Sequence, residues 1–240
     1  MSTRTASKRD SRTRISIGRF TLFKKRQLWL PTWPACLVGL VVLVLLALWI
    51  FSGLHRFLAV TEPAEGADVL VVESWISDPH VKQLAIQLKA EDPQYREVWL
   101  TGPKLSRGSV LLTKDRDSYA ALTAESLLAL GVSREMIHVV PAADTLRHRT
   151  WNAATKLRDE FESTAGQAPD RFDLYTVGNH ARRSRLVFQK VCGEGVEVGV
   201  IALEPVDYDA ATWYKSSAGL KGTALELIAW LHEKIADSGR

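Results

Sequence analysis

The amino-acid sequence predicts an α/β domain built on a parallel sheet of about five strands, carried behind one transmembrane helix. Three observations predict it: a long apolar segment near the N-terminus, five short runs rich in Val, Ile and Leu, and segments of helical periodicity between them. Alternation of such runs with amphipathic helices is the pattern of βαβ units.

Residues 1–27 form a basic tail. They carry nine Lys or Arg against the lone Asp10, a balance of +8, so the remainder of a chain of net charge +4 is at −4. Because this excess adjoins an apolar segment, anionic lipid headgroups are its nearest partner; the tail reads as a flexible arm, and nucleic acid is excluded as a partner.

Residues 28–52 form the span. From Leu28 the sequence reads LWLPTWPACLVGLVVLVLLALWIFSGL, with no charged residue between Ala35 and Phe51. That exceeds the roughly 20 residues a spanning helix needs, and Trp29, Trp33 and Trp49 fall near its ends, where indole rings prefer the headgroup layer. The segment is too long for a signal-peptide core, and SGLHRFLAVTEP after it offers no Ala-x-Ala cleavage site, so a retained anchor is expected. Lys24, Lys25 and Arg26 precede the span and only Arg56 closely follows it, which predicts a single-pass protein of the plasma membrane with a cytoplasmic N-terminus and an extracytoplasmic domain.

Residues 53–66 read as a linker containing Pro and Gly, and residues 67–240 as one domain with a sizeable core. Strands are expected at 67–73, 96–101, 136–140, 172–177 and 196–203. Val81, Leu84, Ala85 and Leu88 mark the first helix between them, Tyr119 to Leu130 the second, Ala154, Leu157 and Phe161 the third, and Leu186, Val187 and Val191 the fourth. A last helix covers roughly 220–235. Gly131 and Gly193 sit where helix C-caps tolerate positive φ. The expected strand order is third, second, first, fourth, fifth, which sets the loop after the first strand (Glu73 to Asp78) beside the loop after the fourth (Gly178 to Arg183).

Cys36 lies in the span and Cys192 is alone in the domain, so no disulfide within the domain is expected. Scattered His residues give no zinc-ligand spacing, and no metal or cofactor is expected. Neither GxGxxG, a Walker A loop nor a Gly-x-Ser-x-Gly elbow around Ser74 occurs.

The chemistry is expected at the carboxyl ends of the strands. VGNHARRSRLVFQK places His180, Arg182, Arg183 and Arg185 at the start of a helix, where the macrodipole disfavours cations unless an anion is bound. His180 and Arg183, three residues apart, share one face. Helical spacing turns Arg182 and Arg185 towards solvent, although Arg182 stays a candidate contact with Gly178 and Asn179. A second basic cluster, AADTLRHRTWNAA, adds Arg149, with Asp144 or Thr150 as a helix cap and Thr150 and Asn152 as alternative ligand contacts. Glu73 and Asp78 after the first strand and Asp144 after the third are the carboxylates available for proton transfer. The loop from Gly102 to Tyr119, with Arg107, Lys114 and Arg116, reads as a lid. The run from Asp207 to Ser217 reads as a substrate edge or a membrane-facing aromatic patch, with Trp213 and Tyr214 more often core.

Four of these segments, ADVLVVESW, VWLTGP, RTWNAA and VGNHARRSRLVFQK, together resemble the YdcF-like family over residues 67–203, and within it the SanA- and ElyC-like branch with an N-terminal membrane anchor. The resemblance implies a Rossmann-like three-layer fold and a place in the bacterial envelope, in peptidoglycan assembly, carrier-lipid handling or barrier integrity. It puts the family's His and Arg on His180 and Arg183, and its Thr-x-Asn-Ala element on Thr150, Asn152 and Ala153. The family's Gly-Gly pairs after the first two strands are here Glu73-Ser74 and Gly102-Pro103, so Glu73, Ser74 and Gly102 stand where those glycines would contact a ligand. The expected role is binding of an anionic small molecule or lipid-linked phosphate. His180, Arg183 and Asp144 would serve phosphoryl hydrolysis or transfer if the protein is an enzyme. The alternative is a non-catalytic anion- or nucleotide-binding module, or an interaction protein with envelope-protein partners.

Overall fold

The computed structural model describes residues 14–17, 20–24, 31–105, 109, 111, 113, 116–142, 145 and 147–236. Asp144, Arg107 and Lys114 lie outside the described residues.

The chain divides into two units, Met1–Trp49 and Ile50–Arg240. In the first, the tail read as a flexible arm contains an antiparallel pair, β1 (Arg14–Ile17) and β2 (Phe20–Lys24). Its cause lies in the alternation of Ile15 and Ile17 with Ser16, and in the aromatic and β-branched residues of FTLFK. Helix α1 (Trp33–Leu58) begins in this unit, after Pro31, and has a best-window mean hydropathy of 2.8. It is the one helix among the described residues long and apolar enough to cross a membrane.

The second unit contains the end of α1, which continues six residues past the expected span and buries His55 and Leu58. The following residues, read as a linker, are pinned. Glu62 and Val200 exchange backbone hydrogen bonds of 2.8 and 2.9 Å, and Ala202 donates its N–H to Thr61 Oγ1. They thereby cover an edge strand whose N–H and C=O groups would otherwise lack partners.

The sheet of this unit is entirely parallel. Its strands are β3 (Val69–Glu73), β4 (Glu97–Gly102), β5 (Ile137–Pro141), β6 (Arg171–Val177) and β7 (Glu197–Leu203), in the order β5-β4-β3-β6-β7. This is the expected order, reversing direction between β3 and β6. Helices α2 (Asp78–Leu88) and α3 (Tyr119–Ala129) cover one face, while α4 (Arg149–Ala165) and α5 (Ala181–Cys192) cover the other. The alternation within β3 shows why both faces are dry: Val69 and Val71 join the core under α4 and α5, Leu70 and Val72 the core under α2 and α3. Helix α6 (Ser217–Ile235) follows a short 3-10 segment, Ala210–Lys215, in which Trp213 is buried and Tyr214 exposed. Gly131 and Gly193 take φ of 84° and 88° after α3 and α5. Both cysteines are free.

Candidate active site at the carboxyl ends of the strands

The reversal of strand order separates the loops after β3 and β6, and the candidate site lies at that crevice. Glu73, the last residue of β3, is buried; its Oε2 accepts hydrogen bonds from Thr176 Oγ1 at 2.5 Å and Ser184 Oγ at 2.8 Å. Its Oε1 lies 3.7 Å from His180 Nε2. His180 ends the short 3-10 turn after β6, and the edge of Trp75 packs against its ring with centroids 4.8 Å apart.

Glu226 reaches the same ring from α6. Its Oε1 is 2.9 Å from His180 Nδ1, and its Oε2 accepts from Arg183 Nε at 2.7 Å. Arg183 also donates Nη1–H to Thr150 Oγ1 at 3.2 Å. Arg183 Nη2 is itself 2.9 Å from His180 Nδ1. That atom can therefore donate to Glu226 when protonated and accept from Arg183 when not, so both charge states of the ring have a partner.

The electrostatics follow from this chain of alternating charges. Burial alone would raise the Glu73 carboxyl, but the charge of His180 and the donors His180, Thr176 and Ser184 outweigh it and hold it below the ordinary value. Burial would likewise raise Glu226, yet hydrogen bonds and charge from His180 and Arg183 bring it down to about 2. For His180, burial is the largest influence and lowers its pKa, as Arg183 does. The charge of Glu73 and the hydrogen bonds to Glu226 and Glu73 prevail, and the net shift is upward. The imidazolium is thus held between two carboxylates.

A cavity of about 600 Å³ opens over this network, lined by Glu73, His180, Arg183 and Glu226. Thr101 and Gly102 of β4 and the adjoining Pro103 wall it, with Tyr119 from α3 and His148, Arg149 and Thr150 from the start of α4. Helix α4 opens on it, with no side-chain cap among the described residues. His148 occupies the N-cap position in a left-handed conformation, φ 52°, with no cap hydrogen bond, and the first turn has no acidic residue. Thr150, expected either as a cap or as a ligand contact, is the second residue of the helix, lines the cavity and accepts from Arg183. The buried Thr101 hydroxyl, also on the cavity wall, has no hydrogen-bond partner within the described residues.

The structure therefore brings together Glu73, Gly102, Arg149, Thr150, His180 and Arg183. Other expected contacts face elsewhere. Arg182, one step of about 100° around the helix from Arg183, stacks over the Phe57 ring at 4.1 Å and donates to the Phe57 carbonyl. Ser74 is buried, its N–H bonded to Thr101 O at 2.7 Å and its hydroxyl to Val72 O. Asn152 donates to Arg147 O, and Asn179 to Thr223 Oγ1 at 3.1 Å. Gly178 has φ 42° and packs close to Leu203 O, a backbone role. Arg116 pairs with Glu125, and the mouth of the Gly102–Tyr119 loop is closed by Leu105 N–H to Asp117 O and Tyr119 N–H to Pro103 O.

Sequence reasoning missed Glu226. It lies 43 residues beyond Arg183 in the apolar-looking stretch ALELIAWLHEKI. The signal present was the seven-residue spacing of Glu226 and Glu233, which puts two acids on one face of a helix. Comparison with family models, with curated proteins and with solved structures finds no match for this chain.

Proposed function

We propose that this chain is a membrane-anchored bacterial envelope protein of YdcF type, whose cavity takes a phosphate-bearing, lipid-linked ligand of cell-wall or carrier-lipid metabolism for hydrolysis or transfer of the phosphoryl group. The observation that carries this reading is the amino end of α4, which opens on the same cavity as His180 and Arg183 and whose N-cap residue, His148, makes no cap hydrogen bond. First-turn N–H groups and the positive end of the dipole suit an anion there. Arg149 on that turn makes no ion pair with a described residue, whereas Arg183 is largely neutralised by Glu226. Arg149 is thus the cation left for the ligand, and Arg183 with Glu226 fixes the ring of His180.

In hydrolysis, protonated His180 gives its proton to the oxygen leaving phosphorus. Water forms the new bond to phosphorus and returns a proton to the ring. Glu73 and Glu226 stay ionised throughout and keep the ring oriented.

The second reading is a non-catalytic anion- or nucleotide-binding module, favoured by the engagement of Arg183 with Glu226 and Thr150. Full-length protein in lipid nanodiscs, heated with phosphate, pyrophosphate, nucleotides and short-chain polyprenyl phosphates, tests both. A ligand at 100 times its Kd adds about 2.7 kcal/mol of stability, and the shift is expected to be largest with polyprenyl phosphates and absent in Arg149→Ala. Inorganic phosphate released by the wild type but not by His180→Gln supports hydrolysis. A shift without any product moves the assignment to the binding module, and no shift with any anion refutes the ligand class.

A further inference from the structure

Helix α6 presents its polar and apolar residues the opposite way round from a helix packed on a soluble domain. Its two acids face inward: Glu226 enters the His180 network, and Glu233 is buried with Lys190 at 3.0 Å. Outward stand Leu220 (45% exposed), Leu225 (54%), Ile228 (63%), Leu231 (44%) and Ile235 (84%). At about 100° per residue these five fall within one arc of roughly 140°, which Lys221 and His232 share, and the exposed charges on the helix are Lys221 and Lys234 with no exposed acid.

An apolar stripe of this size on an exposed helix marks a surface that meets something. The neighbouring end of α1 indicates what. Phe57 packs edge-on against Trp230 of α6 at 5.1 Å between ring centroids, and Phe51 meets Trp213 at 4.7 Å and Tyr214 at 6.0 Å. Ile50 to Phe57 is only about 10 Å of helix, so this aromatic cluster follows directly on the apolar segment that ends near Phe51. Trp and Tyr rings at such a point, beside a helix carrying Lys and exposed Leu and Ile, have the composition of a membrane interface.

We infer that α6 lies along the bilayer surface, its Leu225, Ile228, Leu231 and Ile235 face seated in the headgroup boundary and its lysines on anionic lipid. The adjoining face of the same helix supplies Glu226, Ala229, His232 and Glu233 to the cavity wall. The cavity is then one helix diameter, roughly 10 Å, from the acyl boundary, a distance at which a headgroup enters the site while its chain stays in lipid. This inference rests on α1 spanning the membrane.

The test uses the full chain with Cys36→Ser and Cys192→Ala, in nanodiscs of phosphatidylcholine and phosphatidylglycerol. Single cysteines at Val42, Ile228, Leu231 and, as an aqueous reference, Glu160 carry a nitroxide. The relative collision rates with oxygen and with a water-soluble nickel chelate report depth. Labels at Ile228 and Leu231 are expected to show an oxygen-to-nickel ratio several-fold above that at Glu160, and Val42 a higher ratio still. A deep Val42 with Ile228 and Leu231 equal to Glu160 overturns the inference while leaving the anchor standing. An aqueous Val42 overturns both. Protection of Ile228 seen only when discs hold two copies assigns the face to a second copy of the chain and also overturns the inference.

Discussion

At the amino end of the strands, Asp173 of β6 is fully buried and accepts the Ala64 N–H and the Tyr95 hydroxyl, each at 2.7 Å. At the carboxyl end, Glu73 of the neighbouring β3 is almost as buried, but it faces an imidazolium and, through it, a second carboxylate and a guanidinium. The first carboxylate is tied by neutral donors in a sealed setting. Burial and the nearness of Asp173 raise the Tyr95 hydroxyl far above its ordinary value, so it remains a donor at any physiological pH. The second belongs to a chain of titratable groups that opens on a cavity. Two acids on one sheet thus have different work: one holds the β6 and β7 region to the segment after α1, and the other orients a ring able to move protons.

The comparison breaks most visibly at the sealed end. Asp173→Ala leaves two buried donors without acceptors, and at about 1 to 3 kcal/mol for each, a loss of roughly 4 kcal/mol is expected in chemical denaturation. Ligand affinity of the folded fraction should be unchanged; a drop would show that the two ends are not independent. Glu226→Gln is expected to cost less, about 2 kcal/mol, because the site is partly open. Its larger effect is expected on phosphate release, since the amide keeps one acceptor oxygen where the carboxylate offered His180 and Arg183 one each, and it carries no charge.

Titration sharpens the same contrast. Glu226 binds its proton near 4.5 when unfolded and near 2 when folded, so its contribution is complete above pH 4.5 and lost as pH falls towards 2. His180, raised above its ordinary 6.5, contributes fully below pH 6.5 and loses that contribution as pH rises through its folded value. Stability from the network should therefore be greatest between about pH 4.5 and 6.5, and Glu226→Gln should flatten the acid limb. An acid limb of the same depth in the variant would mean that other groups control it. The smallest effect belongs to Arg182→Ala, which removes a stacking contact of about 0.5 to 1 kcal/mol and should leave ligand affinity as it was.

Much of this architecture was legible because the central strands are buried on both faces, which forces apolar runs such as VLVV and VWL, and because capping glycines mark the ends of α3 and α5. The pairing of His180 with Arg183 was legible from spacing on one helix. The direction of a single side chain was not. The sequence offers Arg182 as a candidate contact, yet its place one residue from Arg183 carries it to Phe57. Glu226 could not be joined to the site from local pattern, since its partners are 43 and 46 residues earlier and only the packing of α6 brings them together. The extension of α1 to Leu58 was hidden for a related reason, as the helix continues beyond the apolar segment and buries His55 and Leu58.

The central claim is that the carboxyl end of the sheet binds a phosphate group through the start of α4, and equilibrium binding of a short-chain polyprenyl phosphate to the full-length protein in nanodiscs tests it most directly. The wild type and Asp173→Asn should bind with equal affinity, the latter at lower stability, while Arg149→Ala should lose most of the binding with its fold intact. Equal affinity in wild type and Arg149→Ala would contradict the account.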